Sequence, residues 1–152
     1  MAKLKSNTRG IRNNNPLNIR KGNDWQGERH PQSDPAFEEF ESIEMGIRAA
    51  IILAYNYITG RARSCHGQKC DTVTKFITHW APPSENNTQA YIGRVCLRST
   101  LTPHESLFPV RKNQLLRLLW AMAEVECGQL LHFQYFENAY AYARLVIPAL
   151  PR

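Results

Sequence analysis

Apolar and polar positions alternate along this chain with the period of helices. From Ile43 to Ile58, residues Met45, Ile47, Ala50, Ile51 and Ala54 recur three and four apart, which places them on one helix face. Ser42 stands where an N-cap belongs and Gly60 where a helix stops. The polar stretch "RARSCHGQKC" reads as a loop. Asp71 is placed to cap a short helix carrying Val73, Phe76 and Ile77, which "WAPPSENN" ends because Pro82 and Pro83 cannot continue it. A further helix is expected from about Thr88 to Leu97. Asn113 then caps a strongly apolar helix running to Gly128, and a last amphipathic segment spans Phe136 to Val146. Residues 1–35, rich in Asn, Gly and Pro, read as loop with short ordered pieces. Strand alternation is scarce and there is no internal repeat. The pattern predicts one mainly α domain over residues 1–152, with 1–8 flexible and little β structure.

Within "LLWAMAEVECGQ", Leu118 to Gln129, two glutamates differ in direction. With Leu115 set at zero, a rotation of about 100° per residue brings Leu119 to about 40°, Met122 to about −20° and Glu126 to about 20°. Glu126 therefore lies along the apolar stripe. Glu124 falls on the opposite side, with Arg117, where it is solvated. Burial and the negative end of the helix dipole both disfavour ionisation of Glu126. A carboxylic acid that keeps its proton near neutral pH is what a general acid requires. The plainer alternative is that Glu126 pairs with an arginine or reaches water at the helix end.

Composition changes this picture little. Hydrophobic residues make up 43% and charged residues 21% of 152, an ordinary globular balance with room for one core. No apolar run is long enough to span a bilayer. The basic start "MAKLKSNTRG" is not followed by the apolar stretch of a secretory signal. A target outside the cytoplasm would be reached through a membrane pore or inside a virion. The net charge of +6 favours polyanions such as nucleic acid, anionic lipid or an acidic wall polymer. No nucleic-acid recognition motif is present, so charge alone does not choose among them. Cys65, Cys70, Cys96 and Cys127 form no CxxC pair, and the five histidines show no metal-ligand spacing. No cofactor or metal site is expected. The four thiols read as reduced, with a Cys65–Cys70 disulfide as the alternative in an oxidising space.

Several stretches resemble a known superfamily. "VECG", preceded by "LLWAMA", resembles the catalytic helix of the soluble lytic transglycosylases and goose-type lysozymes, whose glutamate is the catalytic acid. "NNNPLNIR", Asn13 to Arg20, resembles the loop that follows that helix. "FESIEMGIRAAIILAYNYI" resembles the next long helix, and "SENNTQAYIGRV" the Glu-Thr-x-x-Tyr-Val element closing the substrate cleft. The order departs from the family, because the glutamate helix comes last here. A circular permutation would account for this, and such rearrangements are tolerated where termini lie close together. "RGIRNNNPLNIR", "GIRA" and "WAPPSENNT" also resemble phage structural or virion-associated proteins.

The resemblance implies peptidoglycan glycan strands as substrate, cleaved at the β-1,4 linkage from N-acetylmuramic acid to N-acetylglucosamine, with Glu126 as acid and base. It gives Tyr91 the role of orienting the acid or the substrate's N-acetyl group; the alternative is a tyrosine packed on the core. Asn15 and Asn18 offer amides to sugar groups, or bond their own loop. Trp25 and Trp80 face sugar rings or fill the core. Thr88 and Glu85 belong to the cleft element, where Glu85 either meets substrate or braces the loop, for instance through Arg20. Arg12, Arg20 and Arg48 hold peptide-stem carboxylates, or pair with Glu44. A lysozyme acting through water would need a second acid, for which Glu44 and Glu85 are the candidates. The competing reading is a non-catalytic virion or glycan-binding protein of the same fold.

Overall fold

The computed structural model describes residues 8–152. Of the segment predicted to be flexible, residues 1–7 lie outside the described residues. The Thr8 hydroxyl donates to the Cys127 carbonyl at 2.9 Å.

The described residues form a mainly α structure of six helices: α1 (Arg9–Arg12), α2 (Ile43–Ile58), α3 (Val73–Trp80), α4 (Thr88–Ser99), α5 (Lys112–Cys127) and α6 (Gln134–Val146), with a 3-10 turn at Arg63–Cys65. β structure among them is confined to isolated bridges, Arg20 with Phe37, Glu28 with Phe40 and Thr72 with Ser106.

Helix starts follow local chemistry, with two corrections. Ser42 caps α2 as expected, accepting from the Met45 amide. Thr72, not Asp71, caps α3 by accepting from the Lys75 amide. Asp71 instead pairs with Lys75 at 3.2 Å, one turn on. Helix α5 begins one residue before Asn113, at Lys112, and no side chain caps it. Asn87 caps α4, which runs two residues past Leu97 to Ser99.

Helix α5 is the axis of the core and touches α1, α2, α4 and α6. Leu115, Leu116, Leu118, Leu119 and Met122 are all sealed from solvent, so α5 is apolar nearly all round over this length, as a central helix must be. Each such side chain contributes about 1.5–3 kcal/mol by leaving water. Helix α6 lies along α2 and buries Phe136, Ala139, Tyr140 and Ala143. Helix α4 lies along α5 and turns Tyr91, Ile92 and Val95 inward.

Candidate active site

The polar end of α5 is built from sequence-distant parts. Gly128 takes the left-handed conformation, φ +79°, that stops the helix. A helix end leaves carbonyls without partners, and the N-terminal segment supplies donors to two of them. Thr8 reaches the Cys127 carbonyl, and the Asn18 amide reaches that of Glu126 at 3.2 Å.

The loop presenting Asn18 is held by its own asparagines. Asn15 is completely buried; its amide donates to the Ile19 and Glu38 carbonyls at 2.9 and 3.0 Å, and its oxygen accepts from the Ile19 amide at 2.9 Å. Asn13 donates to Asp34, which also takes a two-pronged contact from Arg9 with both distances 2.6 Å. That guanidinium, with help from the Ala36 and Phe37 amides, holds the Asp34 carboxyl well below the usual range. Asn14 and Asn18 have φ of +51° and +52°, a region asparagine tolerates better than other side chains. The loop packs on α2 at Gly46, where an added Cβ would lie 1.9 Å from the Asn14 carbonyl oxygen.

Glu126 is half-buried at the meeting point. The Asn18 amide donates to Oε1 at 3.0 Å, and the Tyr91 hydroxyl, from α4, donates to Oε2 at 2.8 Å. Burial lifts the carboxyl above its ordinary pKa, while the two donors pull it partly back. Tyr91 is pushed well above its own ordinary value, first by burial and then by the Glu126 charge, so it remains a donor. Among the described residues no second carboxylate hydrogen-bonds to Glu126, Asn18 or Tyr91.

Asn18 also lines a cavity of about 230 Å³ with Ile19, Arg20, Asn23, Leu53, Tyr57 and Trp80. A second cavity, of about 590 Å³, shares Asn23, Leu53 and Tyr57 and reaches Trp25, Asn56 and Ser64. Together they form a groove along one side of α2; Glu126 lines neither cavity and meets the first only through its bond to Asn18.

The structure brings Glu126, Tyr91 and Asn18 together, with Arg20 and Trp80 on the adjoining cavity and Trp25 farther along. Arg20 is exposed and lies over the Phe37 ring at 5.0 Å; it makes no pair with Glu85. Trp80 stacks on Phe76 with centroids 5.8 Å apart and keeps an exposed edge. The indole nitrogen of Trp25 is buried without a partner. Four candidates stand apart. Asn15 spends its whole amide inside the loop. Thr88 is buried, and its hydroxyl donates to the Ala81 carbonyl at 2.6 Å, closing the turn before α4. Glu85 is exposed on that turn. Glu44 lies in the first turn of α2 without an ion pair to Arg48, which is buried. Glu124 is also corrected: it pairs with Arg98 of α4 at 2.9 and 3.0 Å, while Arg117 donates to the Ser99 carbonyl.

Sequence reasoning missed two features. Tyr57 and Leu53 wall the groove; they sit one turn apart on α2, a spacing indistinguishable from a core stripe. Glu38 is sealed under the loop with its Oε2 lacking a donor, and burial beside the Glu28 carboxyl raises its pKa to about 7.

The chain is 36% identical over 103 residues to Protein P5 of Pseudoalteromonas phage PM2. The match takes in 65% of this chain and 60% of P5, so the chain spans less than two thirds of that relative's length. This similarity links the chain to bacteriophage proteins. No protein-family model matches it.

Proposed function

We propose that the chain cleaves peptidoglycan glycan strands with Glu126 as general acid and then general base, as lytic transglycosylases and lysozymes do. The observation that carries this reading is the Glu126 carboxyl, half-buried and held at both oxygens by Asn18 and Tyr91. Its pKa, raised by burial, favours the protonated form that can serve the leaving glycosidic oxygen. The bond to the muramic acid carbon then breaks through an oxocarbenium-like transition state. The ionised Glu126 next removes the proton from the sugar's own 6-hydroxyl, whose oxygen closes on that carbon to give a 1,6-anhydro end. This route needs one carboxyl, which fits a site where Asn18 and Tyr91 are the only side chains bonded to Glu126 among the described residues. It is preferred over attack by water, which calls for a second acid.

A lysozyme-like fold in permuted order is supported by the junction at α5. Thr8 bonds to the Cys127 carbonyl, and the Asn13–Arg20 loop follows after the single turn of α1. A short link from the end of α5 to Thr8 would restore the family's order of elements. The bacteriophage similarity fits a wall-opening protein carried in a particle or released through a membrane pore, and the +6 charge fits an anionic envelope.

Lysis of purified cell walls by wild type and Glu126→Gln tests the reading. An active wild type and a folded variant slowed by about 10²–10⁴-fold support it, that being the usual contribution of a general acid. Equal activity, or none from either, places the chain with non-catalytic phage proteins that bind glycan or build the particle.

A further inference from the structure

Two thiol sulfurs and an imidazole nitrogen converge where the 61–70 loop meets α3. Cys65 Sγ lies 3.9 Å from Cys70 Sγ and 3.8 Å from His79 Nε2, and all three atoms fall within 4.8 Å of one another. Both cysteines are buried and unbonded to each other, and His79 is half-buried. Their spacing in sequence, Cys-x4-Cys and then a histidine nine residues on, has no standard metal pattern, which is why none was expected. The Arg63–Cys65 turn folds the two cysteines back, and α3 carries His79 onto them.

We propose that Cys65, Cys70 and His79 form a divalent zinc site. A tetrahedral zinc with Zn–S of about 2.3 Å and Zn–N of about 2.05 Å separates two sulfurs by about 3.8 Å, and a sulfur from a nitrogen by about 3.6 Å. The observed 3.9 and 3.8 Å edges lie close to those separations, and the third, Cys70 Sγ to His79 Nε2, falls within 4.8 Å and closes on loading. A disulfide needs its sulfurs about 2.05 Å apart, far inside the observed distance. Soft thiolates with an imidazole select zinc over magnesium or calcium. The site opens on a cavity of about 440 Å³ bordered by Ser64, Lys69, Lys75 and Thr78, so the fourth coordination place is left to water. Ser64 Oγ lies 2.9 Å from His79 Nε2, on the nitrogen that would take the metal; it must turn aside on loading.

The consequence is structural. Tyr57 packs edge-on against His79 with centroids 4.6 Å apart and against Trp80 at 5.9 Å, and its carbonyl faces Cys65. A metal here would tie the 61–70 loop and α3 to the wall of the groove that Tyr57 and Trp80 line. The site shares no residue with the Glu126 constellation and does not depend on the muralytic reading.

Cobalt titration of the reduced, metal-stripped full chain tests this. The expected result is about one equivalent of Co²⁺ bound per chain, with thiolate-to-cobalt charge transfer and the intense visible bands of tetrahedral geometry, all displaced by Zn²⁺. Zn²⁺ should also raise the melting temperature. Cys70→Ser and His79→Ala should abolish the bands, whereas Cys96→Ser and Glu126→Gln should leave them intact. Absence of thiolate-to-cobalt absorption in reduced wild type would overturn the proposal. So would a Cys65–Cys70 cystine peptide that forms in the presence of saturating Zn²⁺.

Discussion

Tyr91 and Glu126 lie 35 residues apart, yet the tyrosine hydroxyl of α4 donates to the Glu126 carboxylate at the end of α5 over 2.8 Å. The bond stabilises the charged carboxylate, opposing the burial that favours the proton. Tyr91→Phe removes that donor and keeps the ring in the core. The Glu126 pKa should then rise further, so the alkaline limb of the wall-lysis rate should move to higher pH. Loss of a bond to a charged group should cut the rate at the optimum by about 10- to 100-fold. A pH–rate profile checks both; an unmoved limb would mean that Tyr91 does not act through Glu126.

Stability should peak in mildly acidic solution. Asp34 and Glu39 are held below the ordinary carboxylate range, by Arg9 and by the Asp34 and Ser33 amides respectively. Their stabilisation is complete above the unfolded carboxyl pKa of about 4 and is lost as pH falls below it. Glu38, raised to about 7, acts oppositely: the folded state holds its proton more tightly, so stability declines as pH rises from about 4.5 toward 7. Glu126, also raised, adds to that decline. Melting temperature against pH should therefore have its maximum near pH 5, by this linkage. Glu38→Gln should raise it more at pH 8 than at pH 5, and an equal shift at both would contradict the assignment.

Gly46→Ala tests how the asparagine loop is seated. The new methyl would meet the Asn14 backbone oxygen, which no rotamer change can relieve. Overpacking of this kind costs about 1–3 kcal/mol, which urea unfolding would read as a lower midpoint. Lysis should fall as well, because the displaced loop carries Asn18. Unchanged stability would mean that α2 and the loop separate easily.

The helices were legible because their apolar spacing and caps are local: Ser42 and the span of α2 follow from neighbouring residues alone. Asp71 misled because Thr72 beside it has capping chemistry too, and backbone geometry decides which one caps; Asn113 misled because α5 begins one residue earlier and no side chain caps it. The direction of Glu126 was legible from helical rotation. Its partners were not legible from periodicity, since Asn18 and Tyr91 reach it across 108 and 35 residues; the resemblance gave Tyr91 a role beside the acid, whereas Asn18 was read as meeting sugar groups or its own loop. Asn15 and Thr88 look like ligand residues in sequence, yet both spend their polar atoms on nearby backbone. The convergence of Cys65 and Cys70 with His79 was hidden because it depends on a turn and a helix meeting in space.

Mass analysis of glycan fragments from purified peptidoglycan, digested by wild type and by Glu126→Gln, tests the central claim most directly. Wild type should release muropeptides ending in 1,6-anhydro-muramic acid, with no water added, and the variant should release almost none. Intact strands after treatment with folded wild type, or the same fragments from both proteins, would contradict it.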